Sequence, residues 1–398
     1  MANAQPGPRP AHTNIDMAVV HRPKNQPPRS SSPTGGSARP ATAEHALGRP
    51  RRSLTPRQIY AFLDQSIVGQ DEAKRAVAVA AYGHQRRCSL PAAEKRQLQK
   101  SNVLLLGPTG SGKTLLGRKL AECLDVPLAI VDATEYTEAG YYGKDIESMV
   151  ADLLHVANYS IEQAQRGIIF IDEIDKLARR SQSYKTGGGT RDIGGEGVQQ
   201  ALLKLLEGRQ ALVPLHGAKS PQKSDFVQID TSDILFIAAG TFSDLFDYRQ
   251  TRSIGFGDAE NGSRPASGEG ARIASETLMS YGMLAELLGR LPVRVQLAAL
   301  GEPELIEVLR GPPDALSRQY MQQLQLDGVD LQFTDDGLRA IARAALAERS
   351  GARGLRSLME AVCRDLLFDA PERRGEQILI DQAFVEARLD ARRSLARL

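Results

Sequence analysis

The chain counts 398 residues, with 50 Lys and Arg against 48 Asp and Glu and a formal charge of +2; it is too long for one small core and is expected to form two or three folded units. No apolar stretch approaches the ~18 residues that span a bilayer, and the opening residues lack a signal peptide's apolar core, so no membrane contact is expected and a cytoplasmic protein is predicted. Cys88, Cys123 and Cys363 stand far apart and the six histidines are scattered, which argues against a disulfide frame and against structural zinc.

Residues 1–53 carry eight Lys and Arg, two acids and nine of the 21 prolines. Such a segment buries too little apolar surface to offset its ordering entropy, so a disordered basic tail is expected. A solvated tail without a specific role and an arm touching nucleic acid or an acidic partner are both open readings of it. The remainder holds 42 basic and 46 acidic groups, a mildly acidic body. Pro56 to Ala81 reads as helix, turn, helix, with Ile67-Val68-Gly69-Gln70 between the two helices.

Strand-like runs follow at 102–106, 126–131, 167–172, 234–239 and 292–297, separated by helical periodicity; Ile146, Met149, Val150, Leu153 and Leu154 share one helix face. This alternation predicts an α/β fold, a parallel sheet covered by helices on both faces. After about residue 300 helical patterns take over. Thr334 can cap a helix with Asp335 and Asp336 in its first turn and Leu338, Ile341, Ala342, Ala345 and Leu346 on its apolar face. A second face is Leu355, Leu358, Met359, Val362 and Leu366. The expected organisation is a large α/β domain over 54–298 and a smaller, mainly helical one over 303–398, hinged near Ala298 to Glu302.

The chemistry lies in Gly107-Pro108-Thr109-Gly110-Ser111-Gly112-Lys113-Thr114, which follows the apolar run Val103-Leu104-Leu105-Leu106 and leads into Leu115-Leu116-Gly117-Arg118. A glycine-rich turn between a buried strand and a helix lets backbone N–H groups converge on phosphate oxygens, and the helix N-terminus adds partial positive charge. Lys113 can reach the β/γ-phosphates and Thr114 can hold magnesium, so ATP with Mg2+ is the predicted ligand. Downstream, Gly167-Ile168-Ile169-Phe170-Ile171 ends in Asp172-Glu173, where a parallel strand opens toward a ligand. Asp172 suits the metal and Glu173 the attacking water; an acidic pair that merely caps the next helix is the bland alternative.

In order along the chain these motifs resemble the ClpX-type AAA+ protein unfoldases, over nearly all of residues 54–390. Ile67-Val68-Gly69-Gln70 is similar to that family's adenine-side segment, Ile171 to Lys176 to its Walker B, Gly289-Arg290-Leu291-Pro292 to its arginine-finger segment, and Gly351-Ala352-Arg353-Gly354-Leu355-Arg356 to its sensor-2 helix. The resemblance implies that Val68, Gly69, Leu115 and Arg353 join the cradle in binding ATP. It also implies that Glu173 and Arg290 are catalytic, with Arg290 supplied across the boundary of a homohexameric ring. Without the resemblance, both arginines read as ordinary surface ion-pair formers.

The resemblance further implies a substrate pore made by Tyr141 and Tyr142, flanked by Gly140 and Gly143, and by a second loop containing Arg191. An aromatic tip between glycines can grip any passing polypeptide by van der Waals contact, while a plain buried turn is the alternative. Ile254-Gly255-Phe256, apolar within a polar stretch, is similar to the tripeptide that engages the peptidase ClpP; chance placement is the alternative. Two departures stand out: Ala218-Lys219-Ser220 replaces a basic cluster at the axial entrance, and no four-cysteine zinc domain precedes residue 54. The function implied is an ATP-driven unfoldase that feeds unfolded or tagged proteins to ClpP. The alternatives are a peptidase-independent remodelling chaperone and, from another class, an ATP-dependent nucleic-acid assembly factor, disfavoured by the acidic body.

Overall fold

The computed structural model describes residues 54–95, 97–137, 144–182, 193–214, 226–243 and 274–395. The first helices are α1 (Pro56–Asp64), α2 (Asp71–Cys88) and the short α3 (Ala92–Lys95). Thr55 caps α1 with a reciprocal box to Gln58, which satisfies the N–H groups of both residues, and Pro56, with no N–H to satisfy, occupies the first helical position. The helix-turn-helix expectation holds, although α2 runs past Ala81 to Cys88.

Five strands form one sheet in the order β2-β3-β6-β1-β7, every neighbouring pair parallel: β1 (Val103–Leu106), β2 (Leu128–Asp132), β3 (Ile168–Asp172), β6 (Leu235–Gly240) and β7 (Val293–Gln296). Side chains alternate between two cores. Leu104, Leu106, Ile169, Ile171 and Phe236 face one core, which also takes Met149, Val150, Leu153 and Leu154 of α5 (Ser148–Val156) and Leu202 and Leu205 of α8 (Ile193–Glu207). Val103, Leu105, Ile168, Phe170 and Ile237 face the other, under α1, α2 and α4 (Lys113–Leu124). A strand buried on both faces reads as a continuous apolar run, which is why β1, β3 and β6 were legible. The helices α6 (Ile161–Gln165), α7 (Ile174–Gln182), α9 (Ser275–Tyr281) and α10 (Ala285–Arg290) complete this part.

An antiparallel hairpin of β4 (Gln210–Pro214) and β5 (Phe226–Asp230) escaped the sequence reading. Ala211, Val213 and Ile229 face the core while Leu212 and Phe226 stay more than half exposed, a pattern too short to separate from loop.

The buried members of a third core run from Leu305 to Leu389, with Leu300 packed against it. It gathers α11 (Glu302–Arg310), α12 (Leu316–Leu326), α13 (Asp335–Ala347), α14 (Gly351–Asp369) and α15 (Gln382–Leu395) around a parallel pair, β8 (Asp330–Phe333) and β9 (Gln377–Ile380). Thr334 caps α13 as expected, its hydroxyl accepting the Gly337 N–H at 3.2 Å. Leu355, Leu358, Met359, Val362 and Leu366 are all buried, each contributing about 1.5–3 kcal/mol by removal from water. Leu346 is the exception on its expected face: it is 38% exposed, at the rim of the α13 stripe. Among the described residues no helix is long and apolar enough to cross a membrane.

Candidate functional site

The cradle begins where β1 ends. Gly107 passes so close to the strand leaving β7 that a Cβ there would stand 2.7 Å from the Leu297 carbonyl oxygen. Gly112, with φ of 95°, is the N-cap of α4, and no side chain caps that helix. Its first-turn N–H groups have no intrahelical acceptor and so remain for a ligand. Ser111 is 2% exposed and its buried hydroxyl has no hydrogen-bond partner. A buried polar atom left without a partner costs free energy, and a phosphate oxygen would satisfy it, so the cradle fits a nucleotide. Pro108 and Thr109 complete the turn between strand and apex.

Lys113 is buried, and its ammonium donates to the Gly107 and Pro108 carbonyls at 2.6 and 2.9 Å. Burial pushes its pKa below the ordinary lysine value; Asp172 and Asp175 oppose that shift, and the Arg353 guanidinium adds to it. Arg353 is therefore close enough for its charge to be felt at Lys113. The contact is backbone as well as charge: the Ala352 N–H donates to the Gly110 carbonyl at 3.4 Å. Gly110 (φ 78°) and Gly351 (φ 55°) cross with no room for a side chain, since a Cβ on Gly110 would lie 2.8 Å from the Ser350 carbonyl oxygen. The amino end of α14 thus rests directly on the apex of the phosphate loop.

At the carboxyl end of β3, Asp172 Oδ2 accepts the Thr114 hydroxyl at 3.1 Å and Oδ1 accepts the Glu173 N–H at 3.0 Å. A hydroxyl and a carboxylate paired in this way are the oxygen donors a magnesium ion takes. Glu173 is exposed and has φ of 56°, an unusual conformation for a residue with a side chain, which turns the chain from β3 into α7. Such local strain, about 1–3 kcal/mol, is typical of functional positions.

Two further residues were missed by the sequence reading. Asp175, 1% exposed, accepts the N–H groups of Thr241 and Phe242 at 3.2 and 3.3 Å, fixing the exit of β6 against the exit of β3. Because β6 lies between β3 and β1, Thr241 opens between the acidic pair and the cradle. Only strand order reveals this, and strand order is not written in the local sequence. On the other flank, Gln70 bonds Ala298, while Gly69 (φ 63°) borders Glu304 of α11. Val68 is partly buried and Leu115 is 39% exposed on the first turn of α4.

Arg290 is not brought to this place. It ends α10, and its carbonyl accepts the Asn102 side-chain amide at 3.1 Å, beside the amino end of β1. The cradle leaves the carboxyl end of the same strand, about 13 Å away at 3.3 Å per residue. Its guanidinium pairs with Glu207 at 2.7 Å, both groups half exposed, a pair worth at most about 1 kcal/mol. Tyr141, Tyr142, Arg191, Lys219, Ile254, Gly255 and Phe256 lie outside the described residues. The ends of the 138–143 stretch are nevertheless pinned together, by Thr137 N–H to the Lys144 carbonyl at 3.1 Å and Lys144 N–H to the Glu135 carbonyl at 3.0 Å.

Residues 98–294 match the sequence model of the AAA domain (Cdc48 subfamily), and residues 300–377 match that of the C-terminal, D2-small domain of ClpB protein. The chain is 46% identical over 331 residues to ATP-dependent Clp protease ATP-binding subunit ClpX 2 of Wolinella succinogenes, covering 83% of this chain and 81% of that protein. To ATP-dependent Clp protease ATP-binding subunit ClpX of Treponema denticola it is 44% identical over 333 residues, covering 82% and 80%. The chain belongs to the ClpX family of AAA+ ATPases.

Proposed function

We propose that the chain works as a homohexameric ring in the cytoplasm, hydrolysing ATP to unfold tagged or unfolded proteins and thread them to a ClpP peptidase. In this reading residues 54–298 form the large lobe and 303–398 the small one. Val68, Gly69, Leu115 and the cradle from Pro108 to Thr114 hold the nucleotide. Magnesium, when bound, neutralises phosphate charge; Thr114 and Asp172 would hold it. Glu173 takes the proton of the attacking water, Thr241 orients it, and Arg353 binds the nucleotide from the small lobe of the same chain.

The observation that carries this reading is the separation of Arg290 from its own cradle. A guanidinium beyond the amino ends of the strands, held among the described residues only by the weak pair with Glu207, serves a phosphate when a neighbouring copy brings one to it, and head-to-tail contacts of that kind close into a ring. Motion of α14, seated on Gly110 and carrying Arg353, converts nucleotide state into a change between the lobes. Tyr141, Tyr142 and Arg191 would pass that motion to a threaded polypeptide, and Ile254, Gly255 and Phe256 would dock the peptidase.

The test is degradation of a folded fluorescent reporter with an unstructured tag, in the presence of ATP and a ClpP peptidase. Loss of the reporter that requires both supports the proposal, and Phe256→Ala should abolish degradation while leaving unfolding intact. Unfolding that proceeds with no gain from the peptidase identifies a remodelling chaperone instead. A reporter that stays folded under all conditions contradicts both.

A further inference from the structure

Gln70 follows Val68-Gly69 in the turn between α1 and α2 and has φ of 58°. That left-handed conformation favours glycine or asparagine, so a glutamine is held there by what its side chain reaches. Although Gln70 is the N-cap residue of α2, its side chain makes no capping bond to that helix. Its amide instead crosses to the linker leaving β7: Nε2 donates to the Ala298 carbonyl at 2.8 Å, and the Ala298 N–H donates to Oε1 at 3.0 Å. A carboxamide presents donor and acceptor side by side, so the two bonds close like adjacent rungs of a strand ladder.

The linker is anchored on both sides of this clasp. The Leu297 N–H donates to the Leu106 carbonyl at 2.7 Å, and the Leu297 carbonyl lies against Gly107, the first residue of the cradle. Further along, Glu304 accepts the Gly301 N–H at 2.9 Å, and its Cγ stands 3.9 Å from where a Cβ on Gly69 would be. One short stretch of backbone therefore touches the phosphate loop, the Val68-Gly69 segment and the start of α11.

We propose that Gln70 is a positioning residue that clasps the linker to the Val68-Gly69 segment, so that nucleotide occupancy and the setting of the small lobe bias one another. The inference rests on the nucleotide-site reading above and names the bond through which that site reaches the linker. Thermodynamic linkage makes the effect reciprocal: if the clasp closes better around bound nucleotide, opening it weakens nucleotide binding by the same factor.

The test is equilibrium titration of the full chain with a fluorescent ATP analogue. Gln70→Glu keeps the shape, but at about pH 8 it sets a carboxylate against the Ala298 carbonyl, and at about pH 5 the partly protonated acid regains a donor. Relative to the parent at the same pH, affinity of Gln70→Glu should fall about tenfold at the higher pH, equivalent to 1.4 kcal/mol, and recover to a loss of about fourfold at the lower, where about one sixth of the carboxyl is protonated. Gln70→Ala should lose about tenfold at both, and turnover at saturating ATP should fall less than about threefold in either variant. Recovery with pH within one folded protein separates a clasp from general loss of structure. Affinity of Gln70→Glu that stays within about twofold of the parent at the higher pH, or a loss equal at both, overturns the inference. Lys113→Ala is titrated alongside. If it binds the analogue as the parent does, the nucleotide-site reading fails and takes the clasp with it; if it loses binding while Gln70→Glu keeps it, only the clasp falls.

Discussion

Alanine at Gly351 should weaken both the fold and nucleotide binding, by amounts set by its crossing with the phosphate loop. With φ of 55°, a residue bearing a side chain costs about 1–2 kcal/mol in this conformation. The new Cβ would stand 3.1 Å from the Thr109 carbonyl oxygen and 3.3 Å from the Gly110 Cα, both backbone atoms that cannot rotate aside. Restricting the unfolded chain returns about 0.4–1 kcal/mol, so a net loss of about 1 kcal/mol is expected before α14 shifts away from Gly110, and up to about 2 after. Urea unfolding reads the first effect, and titration with a fluorescent nucleotide reads the second as an affinity loss of about fivefold or more. Ala352→Gly is the control. It keeps the N–H that bonds Gly110, so it should cost helix stability of about 0.5–1 kcal/mol with affinity unchanged. A Gly351→Ala protein as stable as the parent and equal to it in nucleotide affinity would refute the reasoning.

Glu173→Gln should bind nucleotide within about twofold of the parent yet turn it over about 100-fold to 1,000-fold more slowly, since it keeps the shape and loses the base; steady-state turnover and binding measured side by side decide it. His84 is buried, and burial with the nearby Lys100 cation pushes its pKa down to about 4, so it folds neutral. The unfolded chain takes up that proton below about pH 6.5; the His84 contribution to stability should therefore be flat above that value and fall by up to roughly 3 kcal/mol as pH drops toward 4, a slope that urea titrations should find reduced in His84→Leu. Tyr141→Ala should slow unfolding of a tagged stable reporter at normal ATP turnover; undiminished unfolding would remove Tyr141 from the pore.

The part of this protein that could be read from its sequence is the part governed by local rules. The runs that became β1, β3 and β6 are apolar on both faces, and the cradle is a contiguous motif whose glycines answer to backbone geometry at fixed offsets. The Thr334 cap and the stripe from Leu355 to Leu366 follow from single-helix periodicity. What escaped depends on pairing across long separations. β8 and β9 are four residues each and pair in parallel over more than forty intervening positions, so neither carries a turn signal. Asp175, Thr241, the Gln70–Ala298 bonds and the Gly110–Gly351 crossing all join segments that approach only once the sheet order is set. Arg290 was flagged from its motif, but its distance from its own cradle follows only from the register Val103↔Val293 and Leu106↔Gln296.

That distance makes the central claim directly measurable. Arg290→Ala subunits lack the finger but keep Glu173, and Glu173→Gln subunits lack the base but keep the finger; each alone should be nearly inactive as an ATPase. In randomly mixed rings of equal parts, an intact base should meet an intact neighbouring finger at about one boundary in four, restoring about a quarter of parental turnover. A mixture no more active than its components, or an Arg290→Ala protein that hydrolyses ATP at the parental rate, would contradict the account.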